Sequence, residues 1–484
     1  MAALTKTDAK RTPHALPPLC VDLDGTLIRT DLLVESALAL LSRSPLMLFT
    51  MLLWLMRGKA FLKREIAKRV HLGIASLPYN EDVVTWVREQ QLVRRTVLCS
   101  AADFSLAAQV ADHIGGFDAV IASDGSKNLS GANKASVLVE LYGERGFDYI
   151  GNAVVDLKVW KFANAALVVE HGSKLTLAAS RVTRVEHTFN QAKSTARQWL
   201  KALRVHQWIK NVLVFLPILA AHRVFDLGAV LSSALAFVCF GLCASSVYLT
   251  NDLLDLGADR QHHRKKHRPF AAGIIPLYQG LFAASLLLIS GFWLAYLLKP
   301  TFTVVLLGYY ILTTGYSLKF KRIVMLDVVV LAVLYTTRIL AGAAAIQSKL
   351  SFWLLAFSMF IFLSLAMIKR YTELLAAQKA DGIKAAGRGY EVDDLPLIQS
   401  LGSASGYLSV LVLALYVDST ASLSLYRHPH YLWLLCPLLL YWISRTWVIA
   451  HRGVMHDDPV VFAVMDKVSR VVMLIAAAIV VASI

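Results

Sequence analysis

Charge is scarce in this chain, and acid is the scarcer half. Only 17% of the 484 residues are charged, and 33 Asp and Glu stand against 49 Lys and Arg. With 57% apolar residues and a mean hydropathy of +0.56, that scarcity excludes an ordinary soluble protein throughout. Cysteine is sparse too. Of Cys20, Cys99, Cys239, Cys243 and Cys436, only Cys239 and Cys243 lie close together, inside an apolar helical pattern, so neither a disulfide framework nor a zinc site is expected. No basic-then-apolar leader precedes the first strand pattern, which leaves the leading region expected in the cytoplasm. Base-reading motifs and aromatic–basic interleaving are missing, so nucleic acid is not an expected partner. The net charge of +16 sits in short basic clusters between apolar runs, the pattern of membrane loops.

The length calls for two domains. Residues 1–17 are polar and are expected to form a disordered tail. Across 18–175, short apolar strands at Leu19–Leu23, Thr96–Cys99, Ala119–Ala122, Tyr149–Gly151 and Ala166–Val169 alternate with helical patterns. That alternation predicts an α/β domain with a doubly wound parallel sheet. The stretch Leu32–Met56 reads as helical and very apolar, and its uninterrupted part from Pro45 is too short to span a bilayer. It suits either a cap helix or a helix resting on the membrane surface. Residues 176–205 read as a linker: from Lys174 through Arg181, Arg184, Lys193, Arg197, Lys201 and Arg204 the chain is basic and amphipathic, like a helix on an anionic surface.

Residues 206–484 predict an all-α polytopic bundle. Nine apolar segments are visible, near 208–222, 228–250, 276–297, 301–317, 324–346, 352–370, 404–418, 430–450 and 468–484. With the N-terminus inside, inner loops carry Arg260, Arg264, Lys265, Lys266 and Arg268, then Lys319, Lys321 and Arg322, then Lys369, Arg370, Lys379, Lys384 and Arg388, then Arg452 and Lys467. Outer loops hold only Arg223, Lys299, Lys349 and Arg427, in accord with the positive-inside rule.

Asn251-Asp252-Leu-Leu-Asp255-Leu-Gly-Ala-Asp259-Arg260 closes the second segment. On one helix, positions 252, 255 and 259 share a face, and three carboxylates side by side need a cation. Hard oxygen donors with positions left for phosphate suit Mg²⁺. A basic run from His262 to Arg268 follows and is placed to neutralise phosphates. Further polar clusters are Arg204-Val-His206-Gln-Trp208-Ile-Lys210-Asn211, then Tyr316 to Arg322 with Asp327 and Arg338, then His456-Asp457-Asp458-Pro459 with Asp466 and Arg470. Asp327 and Arg338 lie in an apolar segment and should face the bundle interior, as a functional pair or as an internal ion pair. All four clusters fall on one membrane face in this topology.

Over 200–484 the sequence resembles the UbiA superfamily of intramembrane prenyltransferases, through NDxxDxxxD at 251–259, the nine segments and the later Asp-containing loop. Within it, RVHQWIKN at 204–211, YSLKFKRIVMLD at 316–327 with Arg338, and HDDPVVFAVMDKVS at 456–469 look most like the decaprenyl-phosphate phosphoribosyltransferases. The second DxxxD pair usual in the aromatic prenyltransferases is missing; only Asp327 stands there. The resemblance implies Mg²⁺-dependent transfer of phosphoribose from phosphoribosyl pyrophosphate to a polyprenyl phosphate, in a bacterial inner membrane with the active site cytoplasmic. Asn251, Asp252, Asp255, Asp259 and Asp327 are the implied metal ligands. Lys210, Asn211, Arg260, Lys265, Lys266, Tyr316, Lys319 and Arg338 are the implied substrate contacts. The rivals are an aromatic prenyltransferase using polyprenyl diphosphate and a non-enzymatic lipid carrier. Oligomeric state is left open.

Residues 18–175 resemble the haloacid-dehalogenase-like phosphatases, through Asp22-Leu-Asp24-Gly25-Thr26 after the first strand, Ser100, Lys134 and Asp156 in that order. The resemblance implies Asp22 as nucleophile, Asp24 as acid/base, Ser100 and Lys134 as phosphate contacts, and Mg²⁺ on Asp22, Asn152 and Asp156. One departure stands out: Asn152 occupies a position where the family usually has Asp. Asparagine brings an oxygen without charge, which leaves open both an active phosphatase and a non-catalytic domain. If active, its expected substrate is the 5-phosphate of the lipid-linked phosphoribose made next door.

Overall fold

The computed structural model describes residues 16–191, 193–379, 388–455 and 458–484. Most of the expected tail, with His456, Asp457 and Lys384, lies outside them. The chain divides into two compact units, residues 1–203 with 248–284, and 204–247 with 285–484.

The first unit is built on six strands, β1 (Leu19–Val21), β2 (Thr96–Asp103), β3 (Ala119–Ser123), β4 (Asp148–Gly151), β5 (Ala165–Glu170) and β6 (Arg184–Asn190), all parallel in the order β3-β2-β1-β4-β5-β6. Alternate residues feed two cores. Leu19, Val21, Leu98 and Val169 pack on one face, and Cys20, Val97, Cys99 and Val168 on the other. Both faces are therefore buried, which is why the strands read as continuous apolar runs. β1 is the central strand, next to both β2 and β4, so the chain reverses its winding direction there, and such sheets carry ligands beyond the strand C-termini at that point.

Two expectations change here. The basic stretch from Lys174 is no single helix: it forms the helix Lys174–Ser180, then β6, then the helix Ala196–Ala202. β6 pairs with β5 from Ala165↔Arg184 to Glu170↔Asn190 and is an edge strand, mostly exposed, so its Val185, Phe189 and charged neighbours never show an apolar run. The apolar helix after β1 is broken at Ser44-Pro45 into α1 (Leu32–Arg43) and α2 (Met47–Met56), followed by α3 (Lys59–Ala67).

Among the described residues, seven helices are long and apolar enough to cross a membrane: Leu227–Leu254, Leu277–Leu298, Pro300–Leu318, Leu326–Ile346, Phe352–Lys379, the stretch Val392–Val417, and Pro429–His451. The other two expected segments are shorter. The first is a 3₁₀ stretch, Val205–Phe215, with a brief α-helix, Leu216–Ala220, and the last is the 17-residue helix Lys467–Ser483. Within the second unit, helix Leu326–Ile346 is the most enclosed, 72% buried over its apolar window against 17% for Pro300–Leu318. Its small residues allow this: Gly342 lies under the Val214 carbonyl, where an added Cβ would meet oxygen at 2.0 Å.

Candidate active sites

In the first unit, Asp22 follows β1 and Asn152 follows β4, two adjacent strands, so both stand beyond the sheet's C-terminal edge. Lys134, on the helix Ala132–Tyr142, donates to Asp22 Oδ1 at 2.5 Å, to the Tyr149 hydroxyl at 2.7 Å and to the Cys99 carbonyl at 3.2 Å. Burial works against the Lys134 charge, but Asp22 and Asp156 more than offset it and hold the ammonium above the ordinary lysine value. Thr26 bridges the site, its hydroxyl 3.4 Å from Asp22 Oδ2 and 3.3 Å from Asn152 Oδ1. Gly25 is required where it stands: its φ is +77°, and an added Cβ would lie 2.1 Å from the Asn152 amide.

Asp24 accepts the Leu32 backbone N–H at 2.8 Å, which ties it to the start of α1. Burial, with Asp31 and Asp22 adding to it, pushes its carboxyl up to about 8. Asp156 is pushed up to about 6 by burial and then by Asp22, although it accepts N–H groups from Asn152 and Ala153. Ser100 lies within β2, not at its end, and its hydroxyl accepts the Ala102 N–H at 2.9 Å. Lys63 of α3 reaches the Ala101 carbonyl at 2.5 Å and the Asn128 amide oxygen at 2.9 Å. Burial lowers its ammonium, opposed by Asp24 and Asp31. Nothing in the sequence singles out Lys63, because its role depends on how α3 packs on β2.

The Asp-rich segment also belongs to this unit. Helix Leu227–Leu254 ends inside the motif, Asp255 caps a second short helix, Leu256–Gln261, and the hydrogen bonds Asp255 N to Asn251 O and Asp259 N to Asp255 O carry the helical path across the joint. Asp252 and Asp259 are buried, and both meet one atom. Arg268 Nη1 lies 3.0 Å from Asp252 Oδ1 and 2.7 Å from Asp259 Oδ2. Two carboxylates converging on one cationic point are a donor set suited to a hard cation. Among the described residues no three His, Cys, Asp or Glu side chains converge tightly enough to hold a metal by themselves.

Arg260, expected on substrate, is already committed. Its guanidinium is bidentate to Glu35 of α1 and donates to the Ala271 carbonyl at 2.9 Å, and its side chain is only 6% exposed. Thr30 binds the same Glu35 at 2.7 Å. Lys265 and Lys266 are exposed.

The second unit gathers the other clusters. Lys210 and Asn211 are buried neighbours on the 3₁₀ stretch. Lys210 pairs with Asp458, which Lys369 also approaches at 3.6 Å. Burial alone would raise the Asp458 carboxyl, but Lys210 and Lys369 hold it below the usual carboxylate value. Asn211 accepts from Arg338 Nε at 3.0 Å, and that guanidinium also donates to the Tyr309 hydroxyl at 3.2 Å and lies over the Tyr309 and Tyr335 rings. Trp208 of the same stretch donates to Ser245 at 3.0 Å.

Asp327 does not suit the metal role expected for it. It is fully buried, one oxygen taken by Arg370 and the other by the Tyr390 hydroxyl at 2.6 Å and the Val328 N–H. Its partner is Arg370, not Arg338. Arg370, expected in an inner loop, sits inside helix Phe352–Lys379 and binds Glu373 and the Tyr316 hydroxyl as well, while Arg388 donates to Tyr316 at 3.1 Å. Asp466 likewise pairs with Arg445. Lys319 is exposed. Arg268 and Arg370 stand in the sequence as loop cations, and Tyr390 carries no signal there. Their pairing with the carboxylates depends on the fold, and an arginine at the edge of an apolar run is the signal that could have marked Arg370.

Residues 212–469 match the model of the UbiA prenyltransferase family. An uncharacterized protein of Sinorhizobium fredii, y4nM, is 37% identical over 93% of this chain and 88% of its own length. The nodulation protein NoeC of Azorhizobium caulinodans is 36% identical, covering 58% of this chain and 92% of the relative. A decaprenyl-phosphate phosphoribosyltransferase of Mycobacterium tuberculosis is 35% identical, covering 43% of this chain and 70% of the relative. With a family match over more than half its length and a set of membrane-spanning helices, the chain belongs to the UbiA prenyltransferase family and is an integral membrane transferase.

Proposed function

We propose that the membrane region transfers 5-phosphoribose from phosphoribosyl pyrophosphate to a polyprenyl phosphate at the cytoplasmic face. The observation that carries this over aromatic prenyl transfer is the state of Asp327: both its oxygens are engaged by Arg370 and Tyr390, so the later loop offers no second metal-binding carboxylate pair. The decaprenyl-phosphate phosphoribosyltransferases among the relatives support the same choice. In the reaction, an oxygen of the lipid phosphate bonds to C1 of the ribose as the bond from C1 to pyrophosphate breaks. The acceptor is already anionic, so no strong base is needed. By the resemblance, Asp252 and Asp259, with Asp255 and Asn251 from the same motif, would hold Mg²⁺ together with the substrate's own phosphate oxygens, and the metal would supply charge stabilisation to the departing pyrophosphate. Lys210 and Arg338, both buried and cationic, are suited to hold phosphate.

The N-terminal region is read as a haloacid-dehalogenase-like phosphatase acting on the lipid-linked product. Asp22 attacks the 5-phosphate, and the ribose oxygen leaves with the proton of Asp24. Water then attacks the aspartyl phosphate, giving a proton back to Asp24 as the bond from phosphorus to Asp22 breaks and free phosphate and the Asp22 carboxylate are released. Burial favours the protonated form of the Asp24 carboxyl, the form an acid in the first step needs. The neutral Asn152 keeps a non-catalytic domain as the second reading.

The test is transfer of label from phosphoribosyl pyrophosphate to polyprenyl phosphate by purified protein with Mg²⁺. Lipid-bound label supports the reading. Prenylation of an aromatic acceptor with no consumption of phosphoribosyl pyrophosphate overturns it.

A further inference from the structure

α2 has the sequence MLFTMLLWLM, with no charge, and buries no residue fully. Its inner side, Met47, Met51 and Trp54, packs on Leu40, Leu62, Ile66 and Val70 of the neighbouring segments. Its outer side is bare: Phe49 is 67% exposed, Leu52 54%, Leu53 63% and Met56 85%. Those positions follow the i, i+3, i+4, i+7 spacing of one helical stripe. A bare apolar stripe of that size marks an interaction surface.

We propose that this stripe is immersed in the headgroup–acyl boundary of the bilayer that holds the chain's own spanning helices. Three observations favour lipid as the occupant. At ten residues, about 15 Å long, α2 is too short to span but long enough to lie in the interface. Cations close both ends: Arg43 ends α1, and beyond α2 come Arg57, whose guanidinium stacks 4.0 Å over Phe61, and Lys59. Finally, α1 is tied to the end of a spanning helix. Glu35 holds Arg260, six residues beyond helix Leu227–Leu254, in the same compact unit, and Gly273 lies against Arg29, where a Cβ would meet the Arg29 side chain at 2.8 Å. From Glu35 to Phe49 the mostly helical path covers roughly 20 Å, so the stripe stays within reach of the membrane surface. It gives the N-terminal domain its own hold on the bilayer.

Full-length protein in nanodiscs of phosphatidylethanolamine and phosphatidylglycerol tests this, with a spin label at Phe49→Cys or Leu53→Cys and a reference at Leu92→Cys. Leu92 is 83% exposed, and the five native cysteines are buried. The expected result is several-fold weaker relaxation by a water-soluble nickel chelate at 49 and 53 than at 92, with strong relaxation by oxygen. Nickel relaxation equal to that at 92 overturns the proposal. So does shielding from both reagents: with dipolar broadening the occupant is a second copy, and without it the stripe is covered by protein.

Discussion

Two acidic sites at the edges of apolar segments have opposite fates. Asp252 and Asp259 converge on a single nitrogen of Arg268, whose side chain is 27% exposed, so a partly solvated cation bridges them. Asp327 and Arg370 are 0% and 1% exposed, and each oxygen of the carboxylate has its own fixed donor. The cation of the first arrangement is reached by solvent. Displacing the second takes from a buried guanidinium its one fully buried carboxylate, leaving it Glu373 and the Tyr316 hydroxyl, and strips the Tyr390 hydroxyl of its acceptor, at a cost of a few kcal/mol. On the proposed function, the comparison separates carboxylates available to a metal from one locked into packing, and it does so by partner and exposure rather than by motif.

The largest effect should come from breaking the closed site. Asp327→Ala removes the buried carboxylate shared by Arg370 and Tyr390 while Glu373 still pairs with the arginine, and the predicted loss of about 3 kcal/mol of stability should appear as a clear drop in thermal midpoint in detergent. An unchanged midpoint would mean that Asp327 is held more loosely than the geometry indicates.

Next in size is Asp22→Asn. Release of phosphate from the lipid-linked phosphoribose should fall at least about 100-fold while transfer itself continues. Equal phosphate release by this variant and wild type would favour a non-catalytic domain.

Arg268→Gln sharpens the open site. Removing the cation that Asp252 and Asp259 share should leave transfer within about tenfold of wild type once Mg²⁺ is saturating, since the metal takes over its role. A loss as deep as that of a carboxylate variant would make Arg268 a catalytic group.

The smallest effect concerns Asp466. Its side chain accepts the Ser469 N–H at 2.8 Å and caps the last helix, and Arg445 holds its carboxyl at about 2. Asp466→Ala should cost about 1 kcal/mol, read as a shift of a few degrees in the same melting assay.

Much of this was legible beforehand, and the limits have physical causes. Five strands stood out because both of their faces are buried and the runs are apolar; β6 was hidden because an edge strand tolerates the charges of Arg184 and Glu186. The Asp-rich motif announced itself by local spacing. The partner of Asp327 did not, since Arg370 lies 43 residues away and only the packing of two helices joins them. Arg260 looked like a phosphate ligand beside the Asp motif until Glu35, 225 residues earlier, proved to hold it. Local periodicity is written in the sequence; the choice among distant partners is made by the fold.

The most direct test is Mg²⁺-dependent transfer of labelled phosphoribose to polyprenyl phosphate, measured per folded molecule for wild type, Asp252→Asn and Asp327→Asn. The account predicts a loss of about 100- to 1,000-fold in Asp252→Asn. Asp327→Asn should transfer at nearly the wild-type rate with the same Mg²⁺ requirement. Equal losses in both variants, with a raised Mg²⁺ requirement in Asp327→Asn, would contradict it and place Asp327 among the metal ligands.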